Sequence, residues 1–142
     1  MASSESEVRA LLDKRSEAMA MKDIDRLMAL YSPDVVYFDV APPLQYAGSA
    51  ALRGRFLHWF DGFQGSIGQE IHDLRISVSG DLAVTCMLIR ASGTLQNGRE
   101  VERWVRATSS CHRSDRGWLI THEHVSLPVD LASGRVVEGL SP

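Results

Sequence analysis

The chain has 142 residues, 44% hydrophobic and 23% charged, with a formal net charge of −3, the composition of one globular domain with its own core. Its basic residues are scattered, which argues against nucleic acid or an anionic membrane as partner. No apolar run is long enough to span a bilayer, the start MASSESEV is no signal peptide, and Cys86 and Cys111 fit no metal or redox spacing, so a cytoplasmic protein with reduced thiols is expected.

Residues 5–21 carry Val8, Leu11, Leu12, Arg15, Ala18 and Met19 at helical spacing. Arg15 is the anomaly, a charge in the middle of the apolar stripe. A second helix follows Asp23, an N-cap residue, and runs through Leu27, Leu30 and Tyr31 until Ser32-Pro33-Asp34 stops it. Val35 to Phe38 is β-branched and aromatic, a strand that Asp39 ends before Pro42-Pro43 forces a loop. Gly48-Ser49 opens a third helix with Leu52, Phe56, Trp59, Phe60 and Phe63 on its apolar side.

From residue 70 the period changes to two, with Leu74, Ile76 and Val78 alternating with polar residues. Strands 82–95 and 99–113 are joined by Asn97-Gly98, a strong hairpin signal, and a turn at 114–117 leads to a last strand, 118–127. Three helices with one strand among them, then an antiparallel meander, make a single α+β domain. Residues 1–5 and 129–142 are expected to be peripheral or flexible ends. A curved sheet closing on helices leaves a pocket between the layers.

A two-residue turn at Asn97-Gly98 pairs Arg90 with Val105 and Leu88 with Ala107, and an even loop at the next turn pairs Ser109 with His122. One face then carries Leu88, Arg90, Val105, Ala107, Ser109, Cys111, Ile120, His122, His124 and Ser126. The other carries Ile89, Trp104, Arg106, Thr108, Leu119, Thr121, Glu123 and Val125. A bulge or odd loop would invert parts of this division. With Trp104, Ile89 and Val125 on the outside, a homodimer is expected.

The opening KDIDRLMALYSPDVVYFDVAPPLQYAG and the closing WVRAT and GWLITHEHVSLPVDLASG resemble SnoaL-like, ketosteroid-isomerase-like proteins. These belong to the nuclear transport factor 2-like superfamily, with a cone-shaped α+β (cystatin-like) fold, and the resemblance covers roughly residues 7–140. It implies that Asp39, in YFDV, stands where the isomerase branch holds its general base. The branch's oxyanion-hole tyrosine falls at Arg15 and its protonated aspartate near Ser109, so both donors differ here. The last strand is also similar to that of the superfamily's kinase association domain, whose cavity arginines include one falling near Arg90.

Asp39 follows an apolar strand, so partial dehydration would make it a usable base, whereas Arg15 or Arg90 nearby would hold it as an ionised anchor. His122 and His124, two apart on a strand, point the same way and can donate protons or hydrogen bonds to a substrate. They lack a third ligand at a recognised spacing, so no metal is expected, and no nucleotide loop or G-x-S-x-G is present. Arg90, Arg15, Ser109 and Ser126 are candidate substrate contacts; Tyr37 and Trp59 pack in the core or line the cavity. Leu74, Ile76, Val78, Leu88 and Ile120 are expected to wall it.

The expectation is a small cofactor-independent isomerase, dehydratase or cyclase acting on a partly apolar, oxygenated small molecule. The alternative is a non-catalytic ligand-binding or assembly domain of the same fold.

Overall fold

A computed structural model describes residues 2–142. Helix α1 (Ser4–Ala20) starts at Ser3, whose hydroxyl accepts from the Ser6 N–H. It buries the whole expected stripe, Arg15 included. Asp23 caps α2 (Ile24–Met28) through the Arg26 N–H. This helix is shorter than its apolar spacing suggests. The Leu30 carbonyl accepts from the Ile120 N–H at 2.8 Å, drawing the chain into the sheet, so Tyr31 opens strand β1 (Tyr31–Phe38). Pro33 has no N–H to give, and pairing along β1 is broken between Tyr31 and Val36.

A short strand β2 (Tyr46–Ala47) that the sequence did not signal adds to β1. Gly48, at φ +90, turns into α3 (Ser49–Asp61), which buries Leu52, Phe56 and Phe60. Phe63, expected on that helix, instead starts β3 (Phe63–Ser79), well before residue 70. Strands β4 (Leu82–Leu95), β5 (Glu100–Ser114) and β6 (Gly117–Ser126) complete the meander. The sheet order is β2-β1-β6-β5-β4-β3, with β1 parallel to β6. Beyond it, β7 (Val129–Asp130) and β8 (Arg135–Val136) pair as an exposed hairpin. The expected α+β class holds. Among the described residues no helix is long and apolar enough to cross a membrane.

Two single-residue departures decide which side chains face inward. At the Asn97-Gly98 turn, Leu95 rather than Gln96 closes the hairpin: its N–H donates to the Arg99 carbonyl at 2.8 Å, and the Gly98 N–H donates back to Leu95 at 2.9 Å. This is a three-residue loop with Gly98 left-handed at φ +85. Gln96 is drawn away because its N–H bonds Gly62 and its side chain bonds the carbonyls of Asp61 and Phe63. Arg90 therefore pairs with Trp104, and Leu88 with Arg106.

The second departure is on β6. Arg113 faces Trp118 as expected, but the register shifts between Ser110 and Cys111, leaving Thr121 as the extra residue. Its hydroxyl donates to the Ser110 carbonyl at 3.2 Å. From there Ser109 opposes Glu123, and Ala107 opposes Val125.

The inner face thus holds Ile89, Val105, Ala107, Ser109, Glu123 and Val125, and the outer face Leu88, Arg90, Trp104, Arg106, His122 and His124. The apolar outer surface behind the dimer expectation changes accordingly, since Ile89 and Val125 are buried inside.

Cys111 has no exposed surface, and burial, reinforced by the Glu123 charge, pushes its thiol up to about 12. Cys86 is exposed. At pH 8 a disulfide reagent is expected to titrate one thiol in the native protein and the second only after unfolding. Two fast native thiols would contradict the inward placement of Cys111.

Candidate active site

Helices and sheet enclose a cavity of about 450 Å³, within the usual size range for small-molecule sites. Ile67, Ile89, Val105 and Val125 wall it from the sheet, and Phe56 and Trp59 from α3. None of Leu74, Ile76, Val78, Leu88 and Ile120, the expected walls, lines it. The parity inversion puts Ile89 in place of Leu88, whereas Ile120 belongs to the hydrophobic core, Leu74 and Ile76 pack against that core, and Val78 is exposed.

Its inner end is built on a buried ion pair. The Arg15 Nη2 and Nε donate to Glu123 Oε1 at 2.8 and 3.0 Å, and the Tyr31 hydroxyl donates to the same oxygen at 2.8 Å. Ser109 Oγ donates to Oε2 at 2.8 Å. Both Glu123 oxygens are therefore engaged. Arg15 is 2% exposed and Glu123 0%. Burial works against the guanidinium charge, but Glu123 outweighs it and holds Arg15 well above its ordinary value. Arg15 Nη1 alone has no partner among the described residues, and Arg15 lines the cavity. Tyr37, opposite Glu123 in the sheet, lines it too. Burial pushes its phenol well above the ordinary value, with Glu123 adding to the shift, so it stands as a neutral hydroxyl.

Asp39 follows the end of β1 and reaches the cavity wall, as expected. Its arginine is neither Arg15 nor Arg90 but Arg55 of α3, whose Nε donates to Oδ2 at 2.6 Å. Oδ1 accepts from the Val40 N–H at 2.7 Å. The two side chains are 9% and 17% exposed. Arg55 carried the same signal as Arg15: with Leu52 and Trp59 it falls three and four positions away on the inner stripe of its helix.

The histidines do not join them. The His122 Nδ1–H donates to the Val36 carbonyl at 2.7 Å, and the rings of His122 and His124 pack edge-on against Phe38 at 4.8 and 5.4 Å. They occupy the face away from the cavity because of the Thr121 bulge. Arg90 lies on that outer face as well, hydrogen-bonded to Glu70 at 2.6 Å and Glu102 at 3.3 Å. Its hydrogen bonds hold the Glu70 carboxyl below the usual carboxylate range. Ser126 bonds Arg106 at 3.1 Å outside the cavity, whereas Ser109 is buried beneath its floor on Glu123. Of the expected contacts, Asp39, Arg15, Tyr37 and Trp59 meet at the cavity. Among the described residues no cluster of metal-ligating side chains is present.

Three helices closing a curved sheet over one such cavity define the nuclear transport factor 2-like class. The SnoaL-like domain family matches residues 8–130, and the chain belongs to it. A nuclear transport factor 2-like protein of unknown function from Pseudomonas putida KT2440 superposes with a TM-score of 0.88 at 29% identity, covering 97% of this chain and 96% of that one. A ketosteroid isomerase-like protein from Erwinia carotovora atroseptica superposes at 0.76 with 19% identity, over 89% and 97% of the two chains. A cystatin-like protein from Novosphingobium aromaticivorans does so at 0.73 with 19% identity, over 93% and 86%. The last two are similar in fold. No curated protein matches the sequence.

Proposed function

We propose that this chain is a proton-transfer enzyme of the isomerase, dehydratase or cyclase kind, acting on a small, largely apolar molecule with one oxygen at the inner end of the cavity. One observation carries the reading: among the described residues Asp39 is the sole acidic side chain on the wall of an otherwise mostly apolar cavity. Glu123 already accepts four hydrogen bonds, which leaves Asp39 as the base. Arg55 and the Val40 N–H fix its orientation. The Tyr37 hydroxyl and the spare Arg15 N–H would receive the substrate oxygen as negative charge develops on it.

A second reading has support in the Asp39–Arg55 pair. Both Asp39 oxygens are already held, one by the Arg55 Nε and one by the Val40 N–H, an anchoring arrangement that suits a binding domain without turnover. One experiment separates the two without knowledge of the substrate. In 5-nitrobenzisoxazole, a base takes the C3 proton as the N–O bond breaks, giving a nitrile and a coloured phenolate. Saturable acceleration that is lost in Asp39→Asn supports the enzyme. A wild-type rate equal to the variant's supports the binding domain.

A further inference from the structure

Among the described residues three arginines line the cavity, and they differ in what holds them. Arg15 faces Glu123, which is 0% exposed, and Arg55 faces Asp39, which is 9% exposed. Both partners are buried and fixed, so each guanidinium charge is already matched, and Arg15 offers one N–H as a hydrogen-bond donor but no free charge for a ligand carboxylate. At the inner end the Arg15–Glu123 pair is neutral as a unit. A carboxylate seated there would bring an uncompensated charge among aliphatic side chains.

Arg103 is different. It stands on the inner face of β5, cross-strand from Ala91, which itself pairs with Gln69; all three line the cavity. Its carboxylate partner is Glu138, beyond the exposed β7–β8 hairpin, at 2.7 Å. That pair is 52% and 62% exposed, so water screens it and it yields readily to a competitor. Ser109, under the floor, is on the same face of β5 six residues away, roughly 20 Å along the strand. Ile89 and Val105 form the apolar belt between the two levels. The cavity is therefore polar and neutral at its inner end, apolar in the middle, and cationic at its rim.

We infer that Arg103 is an outer subsite for a ligand carboxylate, which displaces Glu138. The ligand is then an extended molecule with an apolar body, an uncharged oxygen at the inner end and an acid group at the rim. This rests on the cavity being the substrate site. It extends that reading with a specificity determinant and a carboxylate of the protein that competes with the ligand's.

The test uses 6-phenylhexanoate and its uncharged amide as probes, with dissociation constants measured by calorimetry at pH 7. Arg103 and Glu138 are half-exposed or more, so substitutions there leave the core intact. Arg103→Gln is expected to weaken the carboxylate about five- to tenfold and the amide less than about twofold. Glu138→Gln is expected to tighten the carboxylate about two- to fivefold by removing its competitor. A purely structural role for the pair would make both variants act in the same direction. Equal carboxylate affinities across the three proteins, weaker binding in Glu138→Gln, or no binding of either probe would overturn the inference. The base is read by turnover of the proton-transfer probe in Asp39→Asn and the outer subsite by carboxylate-over-amide binding, so a failure of either proposal can be told from a failure of the other.

Discussion

Asp39→Asn is expected to slow the opening of 5-nitrobenzisoxazole by about 10²- to 10⁴-fold, the usual contribution of a positioned general base. Asparagine keeps the shape of the side chain, and its single oxygen can still accept from one of the two donors that hold Asp39, the Val40 N–H at 2.7 Å or the Arg55 Nε at 2.6 Å. It cannot take up the proton. The loss should therefore fall on kcat, with KM little changed, because the apolar contacts that bind the probe are untouched. Arg55, 17% exposed, keeps some contact with water, so the variant should fold. Steady-state absorbance kinetics on both proteins check this. A drop confined to KM would make Asp39 a binding group.

Glu123→Ala is expected to produce the largest loss of stability of any single change at the site, about 3–5 kcal/mol. The substitution removes the acceptor of Arg15, Tyr31 and Ser109 together and leaves a guanidinium 2% exposed without a counter-charge. Against a total of about 5–15 kcal/mol that is a large share, and the midpoint of thermal unfolding should fall by on the order of 10–20 °C. The surface pair Arg53–Asp25, at 2.9 Å but 44% and 83% exposed, should cost about 1 kcal/mol or less when cut. Denaturant unfolding of both variants gives the comparison. A Glu123→Ala loss no greater than that of Asp25→Ala would mean that the buried network is not what holds α1 to the sheet.

The elements with long, regular patterns were legible in the sequence: α1 with its buried arginine, the meander, and the aspartate that ends β1. The pattern of helices and curved sheet implied the cavity, and the resemblance to SnoaL-like proteins placed Asp39 in it. What the sequence concealed was parity. Whether a hairpin loop has two residues or three depends on Gln96 finding partners on Gly62, Asp61 and Phe63, contacts formed only once α3 and β3 are packed. The bulge at Thr121 has no local signature. Each shifts the count by one residue, and together they bring Ile89 and Glu123 inside and turn His122, His124 and Arg90 out. The histidine pair drew attention because of its chemistry. Glu123, between them, is the residue that the inner end of the cavity is built on. Arg103 offered no pattern, because a single arginine on a strand does not reveal its face.

The central claim is that the base and the ligand site are one cavity. The most direct measurement is the kinetics of 5-nitrobenzisoxazole opening by the wild-type protein with uncharged 6-phenylhexanamide titrated in. Competitive inhibition is predicted, with KM rising, kcat unchanged, and an inhibition constant equal to the amide's dissociation constant. A rate that persists at saturating amide, or no rate above that of Asp39→Asn, would contradict it.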